Sequence, residues 1–124
     1  MKLFFAGTPA NAAATLQALL NGPHQVVGVL TRPDAPVGRK RVVTPSATAQ
    51  VATEAGIPII KANRVDDAIA REIAASGAEL GVIVAYGALL KSNALTALPK
   101  GWVNVHYSLL PDWRGATPVQ NSIL

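Results

Sequence analysis

The chain of 124 residues contains no cysteine, which excludes a disulfide framework, thiolate nucleophiles and any sulfur-ligated metal. Imidazole chemistry is left to two residues, His24 and His106. Charge is sparse at 15% of residues and half of the chain is apolar, so the two marks of intrinsic disorder, low hydrophobicity and high net charge, are both missing. The chain should fold, and its length suits one domain. No apolar run approaches the ~18 residues of a membrane span, and Gly7-Thr8-Pro9 interrupts the opening MKLFFAG before a secretory core could form. A cytoplasmic protein without membrane association is expected. Acidic residues are also scarce, 7 against 11 basic, giving a net charge of +4. Most of it is local: Arg32, Arg39, Lys40 and Arg41 surround the single acid Asp34 in one ten-residue segment.

What the chain does have is alternation. Lys2 to Ala6 is a short apolar run ended by Gly7-Thr8-Pro9, and Ala10 to Leu20 carries apolar residues three and four apart at Leu16, Leu19 and Leu20. This reads as strand, turn and helix, closed by Asn21-Gly22-Pro23. Val26 to Leu30 is a second strand. Residues 32 to 44 hold two prolines and the basic cluster and are predicted as a loop. Ser46 is placed as the N-cap of a helix carrying Ala47 to Ala55, which Gly56 stops. A short strand at Ile57 to Ile60 follows, then a helix opened by Asp66-Asp67 with Ile69, Ile73 and Ala74 as its apolar stripe. Leu80 to Val84 is a strand ended by Ala85-Tyr86-Gly87, Lys91 to Leu98 a short helical turn, and Trp102 to Val105 a last strand. A further helix is expected from Pro118 onward. The strands are continuous apolar runs, the mark of strands covered on both faces. The predicted class is α/β: a Rossmann-like, doubly wound and mainly parallel sheet. Ligands of such sheets sit outside the carboxyl ends of the strands.

Four strand ends are therefore candidates: Gly7-Thr8-Pro9, Thr31-Arg32-Pro33, Ala85-Tyr86-Gly87 and Asn104-Val105-His106. The first has neither the glycine pattern of dinucleotide folds nor that of P-loops, which disfavours those modes of nucleotide binding and leaves Gly7 as a tight turn. Asn104 and His106, two apart on a strand, project to the same face. An amide and an imidazole so placed can polarise a carbonyl and move a proton; a core histidine bonded to a backbone carbonyl is the plain alternative. The apolar, aperiodic stretch after them suggests a lining for a flat ligand. His24 falls at the opposite edge of the sheet, in an exposed turn. Arg39, Lys40 and Arg41 are either a solvated loop or a contact for nucleic-acid phosphates.

The string N-V-H-Y-S-L-L-P-D-W-R-G-A-T-P-V-Q resembles the signature of the folate-dependent formyltransferases. Together with F-A-G-T-P at the start, the R-P-D-A-P-V-G-R-K-R segment leading into T-P-S, and V-A-Y-G-A-L-L, it makes the whole chain similar to the amino-terminal part of the methionyl-tRNA formyltransferase family. The ribonucleotide-directed relatives would be expected to carry a serine- and glycine-rich phosphate cradle after the first strand, which this sequence lacks. The resemblance implies formyl transfer from 10-formyltetrahydrofolate to the α-amino group of methionyl-initiator tRNA, without a metal. It implies that Asn104 holds the formyl oxygen as charge develops there and that His106 is the acid–base group at the same centre. It implies folate contacts from Ser108, Leu109, Leu110 and Pro111 and a second wall from Ala88, Leu89 and Leu90. It makes Arg39, Lys40 and Arg41 the tRNA contact.

The family's third catalytic group, an aspartate, lies downstream of the signature, and no position of this sequence stands in for it. The resemblance thus implies an apparently truncated catalytic domain: residues 1–124 would be its amino-terminal portion, inactive alone, of an enzyme that is monomeric at full length. A formyltransferase acting on an amino sugar or a ribonucleotide is one alternative, and a non-catalytic folate- or nucleotide-binding module is another. If the basic segment meets RNA, Arg39→Ala with Arg41→Ala weakens tRNA use and flattens its salt dependence while leaving folate binding alone. Equal losses on both substrates would contradict that assignment.

Overall fold

A computed structural model of the chain describes residues 1–107 and 119–123. A six-stranded sheet forms the centre; from one edge to the other its strands are Ile59–Lys61, Gln25–Thr31, Lys2–Gly7, Leu80–Val84, Trp102–Tyr107 and Val119–Ile123. Its strands are β1 (Lys2–Gly7), β2 (Gln25–Thr31), β5 (Ile59–Lys61), β6 (Leu80–Val84), β7 (Trp102–Tyr107) and β8 (Val119–Ile123). The first five run parallel and β8 lies antiparallel to β7. From β1 the chain builds outward first through β2 and β5, then on the other side through β6 and β7. The order reverses between β1 and β6, which makes the gap outside their carboxyl ends the expected ligand crevice.

Both faces are covered. Helices α1 (Ala10–Leu20) and α2 (Ala47–Ala55) bring Ala12, Leu16 and Ala52 against Leu3, Phe5, Val29, Val82 and Val84. Helices α3 (Asp67–Ala75) and α4 (Ser92–Leu95) bring Ala70, Ile73 and Ala94 against Phe4, Ala6, Leu30, Ile83 and Trp102. Alternate residues of each strand therefore enter different cores, which is why the strands are continuous apolar runs. The predicted caps are in place. Ser46 Oγ accepts from Ala49 N at 3.0 Å, and Gly56 ends α2 with φ +73°. Asp66 Oδ1 accepts from Ile69 N at 2.8 Å, with Asp67 in the first turn of α3.

One row of residues sets the spacing of the sheet on the α3 face. Gly28 of β2 pairs with Phe4, Phe4 with Gly81 of β6, and Gly81 with Trp102 of β7. Glycine and aromatic ring alternate across four strands. A Cβ on Gly28 would stand 2.4 Å from the Phe4 ring, and one on Gly81 would stand 2.1 Å from the Trp102 ring. The two rings meet edge to face with centroids 6.2 Å apart, and Trp102 Nε1 donates to Ala94 O at 2.9 Å, tying the row to α4.

Several elements differ from the sequence reading. Residues 32–44 are not an irregular loop: β3 (Ala35–Val37) and β4 (Val42–Thr44) form an antiparallel hairpin separate from the main sheet. Pro36 is tolerated because a two-stranded ribbon leaves each strand an unpaired edge, and Gly38 (φ +77°) and Arg41 (φ +53°) turn the chain between them. Residues 119–123 are strand rather than helix. β-branched Val119 and Ile123 begin and end a segment that satisfies the otherwise unpaired edge of β7. Strand β5 begins at Ile59 instead of Ile57, whose N–H closes the end of α2 on Ala52 O. The helical turn after Lys91 shrinks to α4, and β7 continues past Val105 to Tyr107. On α3, Ala70 and Ile73 are buried and Ile69 is half-buried, whereas Ala74 faces solvent.

The close row predicts an asymmetric response to added methyl groups. Gly81→Ala lowers the unfolding free energy by about 3 kcal/mol through overpacking against Trp102. Gly22→Ala, where the nearest atom would lie at 3.6 Å, changes it by less than about 0.5 kcal/mol. Urea denaturation midpoints of the two variants decide the point.

Candidate active site

The ends of β6 and β7 and the start of α1 enclose a pocket of about 320 Å³, at the lower end of ligand-site volumes. Its lining includes Asn11, Tyr86, Gly87, Ala88, Asn104 and His106. Asn104 and His106 follow Trp102 at two-residue intervals on β7, so all three share the α3 face, while Val105 packs against the opposite core. Asn104 is half-buried and His106 exposed, and neither side chain has a hydrogen-bond partner among the described residues. An exposed imidazole is not the core histidine that the sequence left open as an alternative. A neutral amide and an imidazole on one wall can give a hydrogen bond to an oxygen and exchange a proton beside it.

The opposite wall is the turn after β6. Ala85 (φ +49°) and Gly87 (φ +98°) are both left-handed, and between them Tyr86 is buried with its hydroxyl donating to Ala62 O. A left-handed residue that carries a Cβ costs roughly 1–2 kcal/mol, so this turn must be held by its surroundings. The Thr8 hydroxyl donates to Tyr86 O at 2.7 Å and Arg32 Nη1 donates to Gly87 O at 3.0 Å. Arg32 N in turn donates to Thr8 Oγ1 at 3.3 Å. Three of the four predicted strand ends are thus bonded to one another, and the fourth faces them across the pocket. Burial pushes the Tyr86 hydroxyl above the ordinary phenol value, an effect the nearby Arg32 charge partly offsets.

The structure separates the remaining sequence-predicted site residues. Ala88 lines the pocket, Leu90 is buried in the core, and Leu89 is 82% exposed on the far side of the turn. Ser108, Leu109, Leu110 and Pro111 lie outside the described residues. Arg39, Lys40 and Arg41 are exposed at the tip of the β3–β4 hairpin, away from the pocket, and His24 is exposed as expected. Gly7 is confined by packing: a Cβ there would stand 2.7 Å from both Ala12 Cβ and Val84 O.

Sequence reasoning did not find a second and larger cavity, about 650 Å³, between the strand ends and the hairpin. Arg32, Pro33, Val37, Pro45, Gln50 and Asn63 are among its lining residues. Its base is pinned by a Thr31–Ser46 hydroxyl contact of 2.6 Å and a Lys61–Asp34 ion pair of 2.7 Å. Among the described residues no three metal-ligating side chains gather, and no helix is long and apolar enough to cross a membrane.

A mainly parallel α/β sheet with an amide and an imidazole beside a pocket at the carboxyl ends of its strands defines the class of molecule. The formyl transferase family model matches residues 1–124, and the chain belongs to that family. Among curated proteins it is 56% identical over 124 residues to the methionyl-tRNA formyltransferase of Renibacterium salmoninarum, and equally so to that of Clavibacter sepedonicus. All of this chain is covered in both cases, but only 40% and 41% of those proteins, so the chain spans about two fifths of their length. Among solved structures, glycinamide ribonucleotide transformylase 1 from Symbiobacterium toebii superposes with a TM-score of 0.64 at 22% identity, covering 90% of this chain and 53% of that one. Phosphoribosylglycinamide formyltransferase from Bacillus halodurans gives 0.62 at 15%, covering 90% and 58%. These two likenesses establish the sheet topology as the formyltransferase fold.

The Tyr86 hydroxyl carries a prediction about the turn. Tyr86→Phe leaves Ala62 O without this donor and lowers stability by about 1 kcal/mol near neutral pH. A phenol whose folded pKa is raised adds stability that is fully present below the unfolded value of 10.0 and is lost as the pH rises past it. Denaturation at about pH 7.5 and about pH 10.5 should therefore show the wild type losing part of its advantage over Tyr86→Phe at the higher pH.

Proposed function

We propose that the chain is the amino-terminal portion of the catalytic domain of a methionyl-tRNA formyltransferase. In this reading it transfers a formyl group from 10-formyltetrahydrofolate to the α-amino group of methionyl-initiator tRNA in the cytoplasm. The observation that carries the reading is the 56% identity to curated methionyl-tRNA formyltransferases over 124 residues, the full length of the chain. The formyl transferase family implies a formyl donor. The narrower choice of a folate donor is supported by a pocket whose lining combines apolar Ala88 with the polar side chains of Asn11, Asn104 and His106, a mixture that suits a flat heteroaromatic ring. Ser108, Leu109, Leu110 and Pro111 are proposed to complete it, with the segment Ala88, Leu89 and Leu90 as its second wall.

The roles follow from the two side chains. The amine nitrogen of the acceptor attacks the formyl carbon, forming a new C–N bond, and the bond from that carbon to the donor nitrogen breaks. Asn104 donates its amide N–H to the formyl oxygen while negative charge collects there. His106 takes the proton that the amine loses and returns one to the departing nitrogen, so the enzyme ends in its starting protonation state. Arg39, Lys40 and Arg41 at the hairpin tip would meet backbone phosphates of the RNA, positioning it without reading bases.

The test is a formylation assay with the complete gene product, wild type against Asn104→Ala and His106→Ala. Loss of a single oxyanion donor is expected to lower kcat by roughly 100- to 1000-fold with little change in the KM for tRNA. Loss of the acid–base group is expected to lower it by about 100-fold or more. Faster transfer to a free ribonucleotide amine or an amino sugar than to methionyl-tRNA would replace the acceptor in this reading.

A further inference from the structure

The wall facing Asn104 and His106 is a conformation that does not hold itself. Two of its residues are left-handed, one of them alanine, and such backbones persist only where neighbours over-determine them. Its consecutive carbonyls, those of Tyr86 and Gly87, are each bound by a side chain from a different strand end, Thr8 of β1 and Arg32 of β2. Arg32 is fixed twice more, through its N–H to Thr8 Oγ1 and through Nε to Asn63 Oδ1 at 3.1 Å. The crossing is close: a Cβ on Gly87 would stand 3.0 Å from Arg32 Cδ and 3.1 Å from Nη1. Glycine at that position thus serves both the backbone conformation and the passage of the arginine. Arg32 also lines the 650 Å³ cavity, and its Nη2 has no partner among the described residues. One guanidinium therefore belongs to the wall of the large cavity and supports the wall of the small pocket.

We propose that Arg32 is a positioning residue for formyl transfer: it holds the Tyr86–Ala88 wall against Asn104 and His106 from the side of the neighbouring cavity. An acceptor group seated in that cavity bears on the same side chain that shapes the reaction pocket. The proposal rests on the reading of the pocket as a formyl-transfer centre. It requires arginine and not merely a positive charge. Nε and Nη1 engage Asn63 and Gly87 at once in one plane, which a lysine, with a single terminal nitrogen, does not reproduce.

Arg32→Ala and Arg32→Lys, made in the complete gene product, test it in two ways. In steady-state formylation at a temperature where circular dichroism shows both variants fully folded, both are expected to show kcat down about tenfold and the KM for the formyl donor raised several-fold. In hydrogen exchange by mass spectrometry without any substrate, the amides of residues 85–88 are expected to exchange at least tenfold faster in Arg32→Ala, while those of α1 stay unchanged. Full rescue by lysine, or a loss confined to the KM for tRNA, would overturn the proposal and make Arg32 a simple cationic contact. Unchanged exchange at residues 85–88 would overturn it whatever the kinetics. A wild-type protein that transfers no formyl group to any acceptor would sink the functional reading instead, and the exchange result would still decide whether Arg32 fixes the turn.

Discussion

The contact between Gly81 and the Trp102 ring is the constraint on which the rest of the sheet depends. β6 and β7 lie side by side with an indole over the backbone of Gly81, and no side chain other than hydrogen fits beneath it. Burying an aromatic ring of this kind is worth roughly 2–3 kcal/mol. The same ring anchors α4 through Ala94 O and meets Phe4, which repeats the arrangement over Gly28 two strands away. The pairing of β1 with β2 skips a residue between Leu3 and Phe4, so Phe4 faces Gly28 where an uninterrupted register would oppose Val27. The bulge places the one residue without a side chain under the ring.

The geometry of the candidate site inherits this arrangement. Trp102 fixes the rotation of β7, and Asn104 and His106 follow on the same face by the two-residue period of the strand. On the facing side, β6 delivers a turn whose left-handed residues are held by Thr8, Arg32 and the Tyr86 hydroxyl. One wall of the pocket is therefore set by core packing and the other by hydrogen bonds near the surface. The wall that carries Asn104 and His106 is thus part of the rigid sheet, and the facing wall has ties that can be altered without unfolding it.

Much of this could be read from the residues. The strands declared themselves as apolar runs because both of their faces enter cores, and Ser46 and Asp66 announced their helices through cap chemistry that acts over three residues. Asn104 and His106 were legible because a strand converts spacing directly into a common direction. The hairpin was hidden by Pro33 and Pro36, which normally argue against strands but are harmless in a ribbon with free edges. Pro118 suits a first helical turn and so points to helix over residues 119–123, whereas the available edge of β7 is a tertiary fact. The Arg32 tie was beyond sequence reasoning of any kind: it joins residues 55 positions apart, and only the order of strands in the sheet brings them together.

The hairpin has a consequence of its own. Thr31 and Ser46, bonded hydroxyl to hydroxyl, clasp its base, and the chain between them returns to within one hydrogen bond of where it left the sheet. For a segment closed in this way, doubling the length of the excursion costs only about 0.6 kcal/mol of closure entropy. The tip can therefore be lengthened, shortened or exchanged almost independently of the core. Selection acting on what the hairpin touches has a region of the molecule in which to vary that leaves the Gly81–Trp102 contact and the amide–imidazole pair untouched.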